Sequence, residues 1–134
     1  MLGIFQNTTL PALEQTLIFA QRRQELLAGN LANFDVPGYR SRDLSVGDFQ
    51  NALAESVQAS QQSGAAGAMS PLTRDDIHSG PRAATEQVVF HDGSDVSLEQ
   101  QVTEMAKNTH LHGLAVATMR SQFSLLRAAI TERA

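Results

Sequence analysis

A chain of 134 residues has the length of one domain, and 42% hydrophobic residues with only 5% aromatics favour helices packed through aliphatic side chains over a thick globular core. The net charge of -4 gives no general attraction to phosphate backbones, which argues against a nucleic-acid partner. The absence of cysteine excludes disulfides and thiolate metal sites, and no apolar run reaches the roughly 18 residues of a membrane-spanning helix.

The first predicted element is a long helix over about residues 9–33. The sequence before it has neither a basic region nor a continuous apolar run, so we expect no cleavable secretory signal. Thr9 is the expected N-cap, and Pro11 stands in the first turn, where its missing N–H costs little. Asn33 can close the helix in a left-handed conformation, and the turn at Pro37 and Gly38 ends it.

Apolar residues recur along this helix at alternating spacings of three and four, which is typical of a coiled-coil stripe. We call this stripe, together with its counterpart in the last helix, the predicted seam. In the first helix the seam comprises Leu10, Leu13, Leu17, Leu27 and Leu31, with Ala20, Gln24 and Phe34 completing the spacing.

The middle of the chain has a different composition. Residues 54–70 are rich in Ala, Ser, Gln and Gly and contain few large apolar side chains to offset the entropy of ordering. A short strand over residues 87–90 and turns near Gly80 and Gly93 are the only regular features predicted there. Residues 51–91 are therefore predicted to form a flexible insert with at most short β structure.

The last predicted helix covers residues 97–132. Ser97 and Gln100 form a capping-box pattern, and Glu99 places a carboxylate in the positively polarised first turn. Gly113 has a low helix propensity, and a close helix crossing or a bend at this position would explain its presence in the helix. The seam continues here, with Thr109 and His112 as polar members, through Leu98, Val102, Met105, Val116, Met119, Phe123, Leu126 and Ile130.

Neither helix is stable alone with so narrow an apolar stripe, so the two must pack on each other or on neighbouring molecules. We predict a mainly α fold in which the two long terminal helices form an antiparallel, coiled-coil-like assembly domain. This domain is discontinuous, comprising residues 1–50 and 92–134 on either side of the insert.

No residues are predicted to act in catalysis, cofactor binding or metal binding. His110 and His112 stand about 200° apart around the helix axis, and His78 and His91 lie in turn-like sequence without the spacing of a zinc site. The chain has no nucleophile elbow and no glycine-rich phosphate cradle. The protein is therefore expected not to be an enzyme.

The end of the first helix carries the most specific motif. Asn30, Leu31, Ala32, Asn33, Pro37, Gly38 and Tyr39 match the pattern N-[IL]-A-N-x-x-T-P-G-Y, with Val36 replacing the usual threonine. This segment resembles the N-terminal signature of the bacterial flagellar rod and hook family. Residues 92–108 and 121–130 further resemble the short proximal rod proteins, of which two closely related kinds remain open.

The resemblance implies a structural subunit that is exported unfolded through the flagellar type III apparatus and polymerises in the periplasm into the rod of the basal body, which transmits motor torque. The partners it implies are further copies of the chain, rod proteins of the FlgC, FlgF and FlgG types and the rod-base protein FliE, with no cofactor. Two alternatives stay open: a helical component of another type III secretion apparatus, and a cytoplasmic coiled-coil adaptor.

Overall fold

The computed structural model of the chain describes residues 9–62, 82–83 and 98–131. The described elements are three helices and two very short strands: α1 (Leu10–Ala32), β1 (Arg42–Asp43), α2 (Val46–Gln62), β2 (Arg82–Ala83) and α3 (Leu98–Thr131). The two strands pair antiparallel, with Arg42 opposite Ala83. The mainly α fold with two long terminal helices is thereby confirmed, and both long helices end within one residue of their predicted bounds.

The two ends of α1 differ in how they are capped. Thr9 occupies the N-cap position but its side chain makes no capping hydrogen bond, so only the position was predicted correctly. At the other end Asn33 caps the helix without the left-handed conformation expected of it, since its φ is -105°. Both its backbone N–H and its side-chain Nδ2 instead donate to the carbonyl of Gly29, at 3.1 and 2.7 Å.

Helix α2 was not predicted, and it corrects the expectation that the middle segment contains at most short β structure. Ser45 caps it by accepting a hydrogen bond from the backbone N–H of Asp48 at 3.2 Å, and Asp48 adds an acidic group to the first turn. The helix crosses the predicted boundary at residue 50. The predicted strand over residues 87–90 lies outside the described residues.

A small apolar core joins α1, the segment after β1 and α2. Phe19 and Phe49 stack with ring centroids 4.1 Å apart, Leu44 is buried beside them, and Leu26, Val46 and Leu53 pack around this cluster. The core fixes the chain's path after α1, so the signature segment is held against the helix that precedes it.

Helices α1 and α3 run antiparallel. Gln101 of α3 meets Asn30 near the end of α1, whereas Asn108, two turns later, meets Ala20 and Gln24 nearer its start. At 1.5 Å per residue this register places Leu10 opposite about residue 120 of α3. The last 11 or so residues of α3 therefore extend beyond the described start of α1. A Cβ at Gly113 would meet no atom within 4 Å, so the close crossing expected there is not found within one chain.

Candidate assembly interface

Asn30, the first residue of the signature, lies at the centre of a hydrogen-bond network and is almost completely buried. Its Nδ2 donates to the carbonyl of Arg42 at 2.8 Å and to Oε1 of Gln101 at 3.1 Å. Its Oδ1 accepts from the hydroxyl of Tyr39 at 3.1 Å and from the backbone N–H of Arg42 at 3.0 Å. One amide group thus joins α1, the turn, β1 and α3, and its combination of two donated and two accepted hydrogen bonds is one that an Asn or Gln side chain offers.

The turn between α1 and β1 explains Pro37 and Gly38. The backbone N–H of Tyr39 donates to the carbonyl of Val36 at 3.1 Å, which closes a four-residue turn. Gly38 has a φ of +76°, as the third position of a type II turn requires, and Pro37 presets the second position. The turn delivers the Tyr39 hydroxyl to Asn30.

Replacing Gly38 with alanine is expected to lower the free energy of unfolding by about 1 kcal/mol, because an L side chain disfavours positive φ. No atom lies within 4 Å of the added Cβ, so the effect is one of backbone conformation alone. Urea unfolding followed by circular dichroism measures it. The control is Gly47→Ala within α2, which should be neutral or stabilising; equal stability of the Gly38→Ala and unaltered chains would contradict the turn assignment.

Arg23 forms the second polar centre, one that the sequence analysis did not identify. It is 5% exposed, and it binds Asp43 of β1 through Nε at 2.8 Å and through its terminal nitrogen at 2.6 Å. The same terminal nitrogen donates to Glu104 of α3 at 2.7 Å, and Lys107 pairs with the other oxygen of Glu104. The guanidinium therefore links three elements that are distant in sequence.

The ionisation of this cluster follows from its contacts. Burial acts to lower the pKa of Arg23, but hydrogen bonds to Asp43 and Glu104 outweigh it and raise the pKa above its ordinary value. The hydrogen bond from Lys107 lowers the pKa of Glu104, with a further contribution from Arg23 and partial opposition from burial. Both shifts favour the charged forms of Arg23 and Glu104, so ion pairs hold the cluster together.

Polar and small residues make the closest contacts of α3 with α1. The buried residues of α3 are Gln101, Asn108 and Ala115, spaced by seven. Asn108 donates through Nδ2 to the carbonyl of Ala20 and to Oε1 of Gln24, both at 2.8 Å, while its buried Oδ1 has no partner among the described residues. Hydrogen bonds and close approach at Ala115 therefore set the register of the helix pair.

In this register, part of the predicted seam is buried within the chain and part stays exposed. Leu27 is buried, and most other members on α1 are half-buried, as are Met105, Val116, Met119 and Leu126 on α3. The remaining members stay exposed in the single chain: Leu31, Leu98, Val102, Phe123 and Ile130, with exposed fractions from 38% to 73%. The buried face of α3 is displaced by one residue from the predicted stripe, and packing of the exposed members between molecules stays a prediction.

The functional side chains that sequence reasoning missed are Arg23, Gln101, Glu104 and Asn108. For Gln101 and Asn108 the available signal was the seven-residue spacing that they share with Ala115, which the apolar pattern does not include. Among the described residues no group of three or more His, Asp or Glu side chains is placed to hold a metal ion. No described helix combines the length and apolarity needed to cross a bilayer.

Comparison with known proteins agrees with this geometry. A family model described as "Flagella basal body rod protein" matches residues 11–40, which contain all of α1 except Leu10 and the whole signature. Relatives named flagellar basal body rod protein FlgB occur in Bacillus subtilis (24% identical; 92% of this chain and 93% of the relative), Salmonella typhimurium (27%; 81% and 83%) and Proteus mirabilis (28%; 98% and 99%).

All of these relatives carry the name FlgB, which supports the FlgB type over the FlgC type for this chain. The flagellar rod proteins are structural, and the chain is not an enzyme. Their place is the basal body of the flagellum, in association with its other components. The signature at the end of α1 and the similarity over most of the chain thus support a flagellar basal-body rod protein of the FlgB type.

Proposed function

We propose that this chain polymerises through α1 and α3 into the proximal part of the rod, and that the rod transmits motor torque. The observation that carries the proposal is a contrast on α3: its fully buried residues, Gln101, Asn108 and Ala115, are polar or small, while several large apolar residues stay exposed. Phe123 is 51% exposed and Ile130 is 73% exposed. Each such side chain contributes about 1.5–3 kcal/mol when it is fully buried, which a neighbouring molecule would provide.

A torque-bearing subunit also has to hold its own shape under load. The Asn30 network and the Arg23 cluster serve this purpose, because each ties α1 to both the segment after it and α3. We propose that residues 1–50 and 92–134 act as one discontinuous assembly unit, with the residues between them as an insert. The packing of Phe49 on Phe19 supports including the start of α2 in that unit.

The proposed route and partners follow from the family. The chain is exported through the flagellar type III apparatus and assembles in the periplasm. Its neighbours in the rod are further copies of itself, rod proteins of the FlgC, FlgF and FlgG types and the rod-base protein FliE. The names of the relatives, all flagellar rod proteins, support this reading over a virulence secretion component or a cytoplasmic adaptor.

Replacing Phe123 with aspartate is expected to abolish swimming in cells whose only copy of the chain carries the change. The side chain is half exposed, so the isolated protein should keep its helical content while the contact between subunits is lost. Swimming on soft agar and circular dichroism of the purified variant measure the two effects.

The control is Ala54→Asp, at an exposed position of α2, which should leave swimming unchanged. Normal motility with Phe123→Asp would contradict assembly through the exposed face of α3. Loss of helical content in the same variant would show that the residue acts within the subunit instead.

A further inference from the structure

The net formal charge of the chain changes sign after Glu104. Residues 1–104 contain thirteen carboxylates and six Lys or Arg residues, a net charge of -7. Residues 105–131 contain Lys107, Arg120 and Arg127 and no carboxylate, a net charge of +3. Most of α3 is therefore basic on a protein that is otherwise acidic. Two copies are complementary when α3 of one approaches the earlier part of the other.

An open groove lies between α1 and α3 on one side of the helix pair. It has a volume of about 510 Å³, and its lining includes Ala20, Gln21, Glu25, Ala28 and His112. Ala28 is exposed, and its small side chain leaves room for a third helix to approach closely, as small residues do where helices pack at short distance. Glu25 is the only carboxylate among the lining residues, and it is exposed at the rim.

The end of α3 has the features that this groove would accommodate. Arg120, Phe123, Arg127 and Ile130 follow one another at spacings of three and four, so they share one face of the helix. Phe123 and Ile130 on that face are largely exposed. This end also projects beyond the described start of α1. It presents apolar anchors flanked by two cations.

We propose that the projecting end of α3, residues 120–131, docks in the groove between α1 and α3 of a second copy of the chain, with Arg127 or Arg120 paired to Glu25. The contact joins two different surfaces, so it repeats from copy to copy without closing on itself, as a rod requires. This inference rests on the proposed function and adds to it the two surfaces that meet.

The chain has no cysteine, which permits a direct test by disulfide crosslinking. Cells lacking the native gene would carry two forms of the full chain, one with Ala28→Cys in the groove and one with Ser124→Cys beside the docking face. Basal bodies isolated from them would be oxidised and blotted for the crosslinked dimer. The matched control pairs Ser124→Cys with Ala54→Cys on α2, where the residue is again an exposed alanine.

The proposal predicts a dimer yield severalfold above that control. Adding Arg127→Glu and Arg120→Glu together, or Glu25→Arg alone, should lower the yield by roughly fivefold, the upper end for an exposed ion pair. Combining all three changes should restore it. Arg22→Glu, an exposed arginine of α1 outside the groove lining, should leave the yield unchanged.

Basal bodies that contain both forms yet show no crosslink above the control would overturn the docking proposal and leave the proposed function standing. The same holds if the combined variant fails to recover the yield lost in the partial ones. A chain that is absent from basal bodies would refute the proposed function itself, and the docking proposal with it.

Discussion

Replacing Arg23 with methionine is expected to lower the free energy of unfolding by about 3 kcal/mol. Arg23 is 5% exposed, and the loss of its guanidinium leaves Asp43 and Glu104 without their common counter-ion. The side chains of these two carboxylates are themselves only 21% and 25% exposed. Breaking a buried ion pair from one side costs about 3–5 kcal/mol, and the partial exposure of the carboxylates places this case at the lower end. Urea unfolding of the purified chain measures the change.

The adjacent residue provides a matched control for this prediction. Arg22 is exposed on the same helix, so Arg22→Met removes the same charge and should change stability by less than about 0.5 kcal/mol. Arg23→Lys keeps the charge but loses the two-nitrogen contact with Asp43, and we expect an intermediate stability. Equal stabilities of the Arg22 and Arg23 variants would mean that the cluster does not hold the three elements together.

Asn30→Leu is expected to cost about 3 kcal/mol, because a side chain of similar volume removes four hydrogen bonds at once. The carbonyl of Arg42, the N–H of Arg42, the amide oxygen of Gln101 and the hydroxyl of Tyr39 all lose their partner. Each buried group left unpaired costs about 1–3 kcal/mol, and the polar groups that reach water after a small movement recover part of it. Thermal or urea unfolding gives the value.

Two milder substitutions calibrate this result. Tyr39→Phe deletes one of the four contacts and Asn33→Ala deletes only the helix cap, so each should cost about 1 kcal/mol. The account requires Asn30→Leu to be the most damaging of the three. A smaller effect than that of Tyr39→Phe would show that the network forms around the tyrosine and that Asn30 is incidental to it.

The two long helices could be predicted to within a residue because their local signals agree. Pro11 in the first turn and the turn at Pro37 and Gly38 mark the limits of α1, and the alternating spacing carries α3 to its end. Helix α2 was missed because its Ala, Gln and Ser residues were judged by their low apolar content. The pattern that predicts it, Ser45 three residues before Asp48 with apolar Val46 and Phe49, is short and depends on a tertiary contact with Phe19.

The interface was harder to predict for a different reason. A polar residue on a helix is normally solvated, so a single sequence gives little ground to place Gln101 or Asn108 against α1. Their burial depends on partners from α1, Asn30 for the first and Gln24 for the second, that lie 71 and 84 residues earlier. The signature was recognised by its residues, but the role of Asn30 became apparent only when β1, Tyr39 and α3 were placed around it.

The central claim is that this chain is a building block of the flagellar rod, and its presence in isolated basal bodies tests that claim most directly. Basal bodies purified from swimming cells would be examined by quantitative mass spectrometry alongside the cytosolic fraction. The account predicts that the chain copurifies in amounts comparable with other rod subunits and withstands the washes that remove loosely bound proteins. Recovery of the chain only from the cytosol, with basal bodies free of it, would contradict the account.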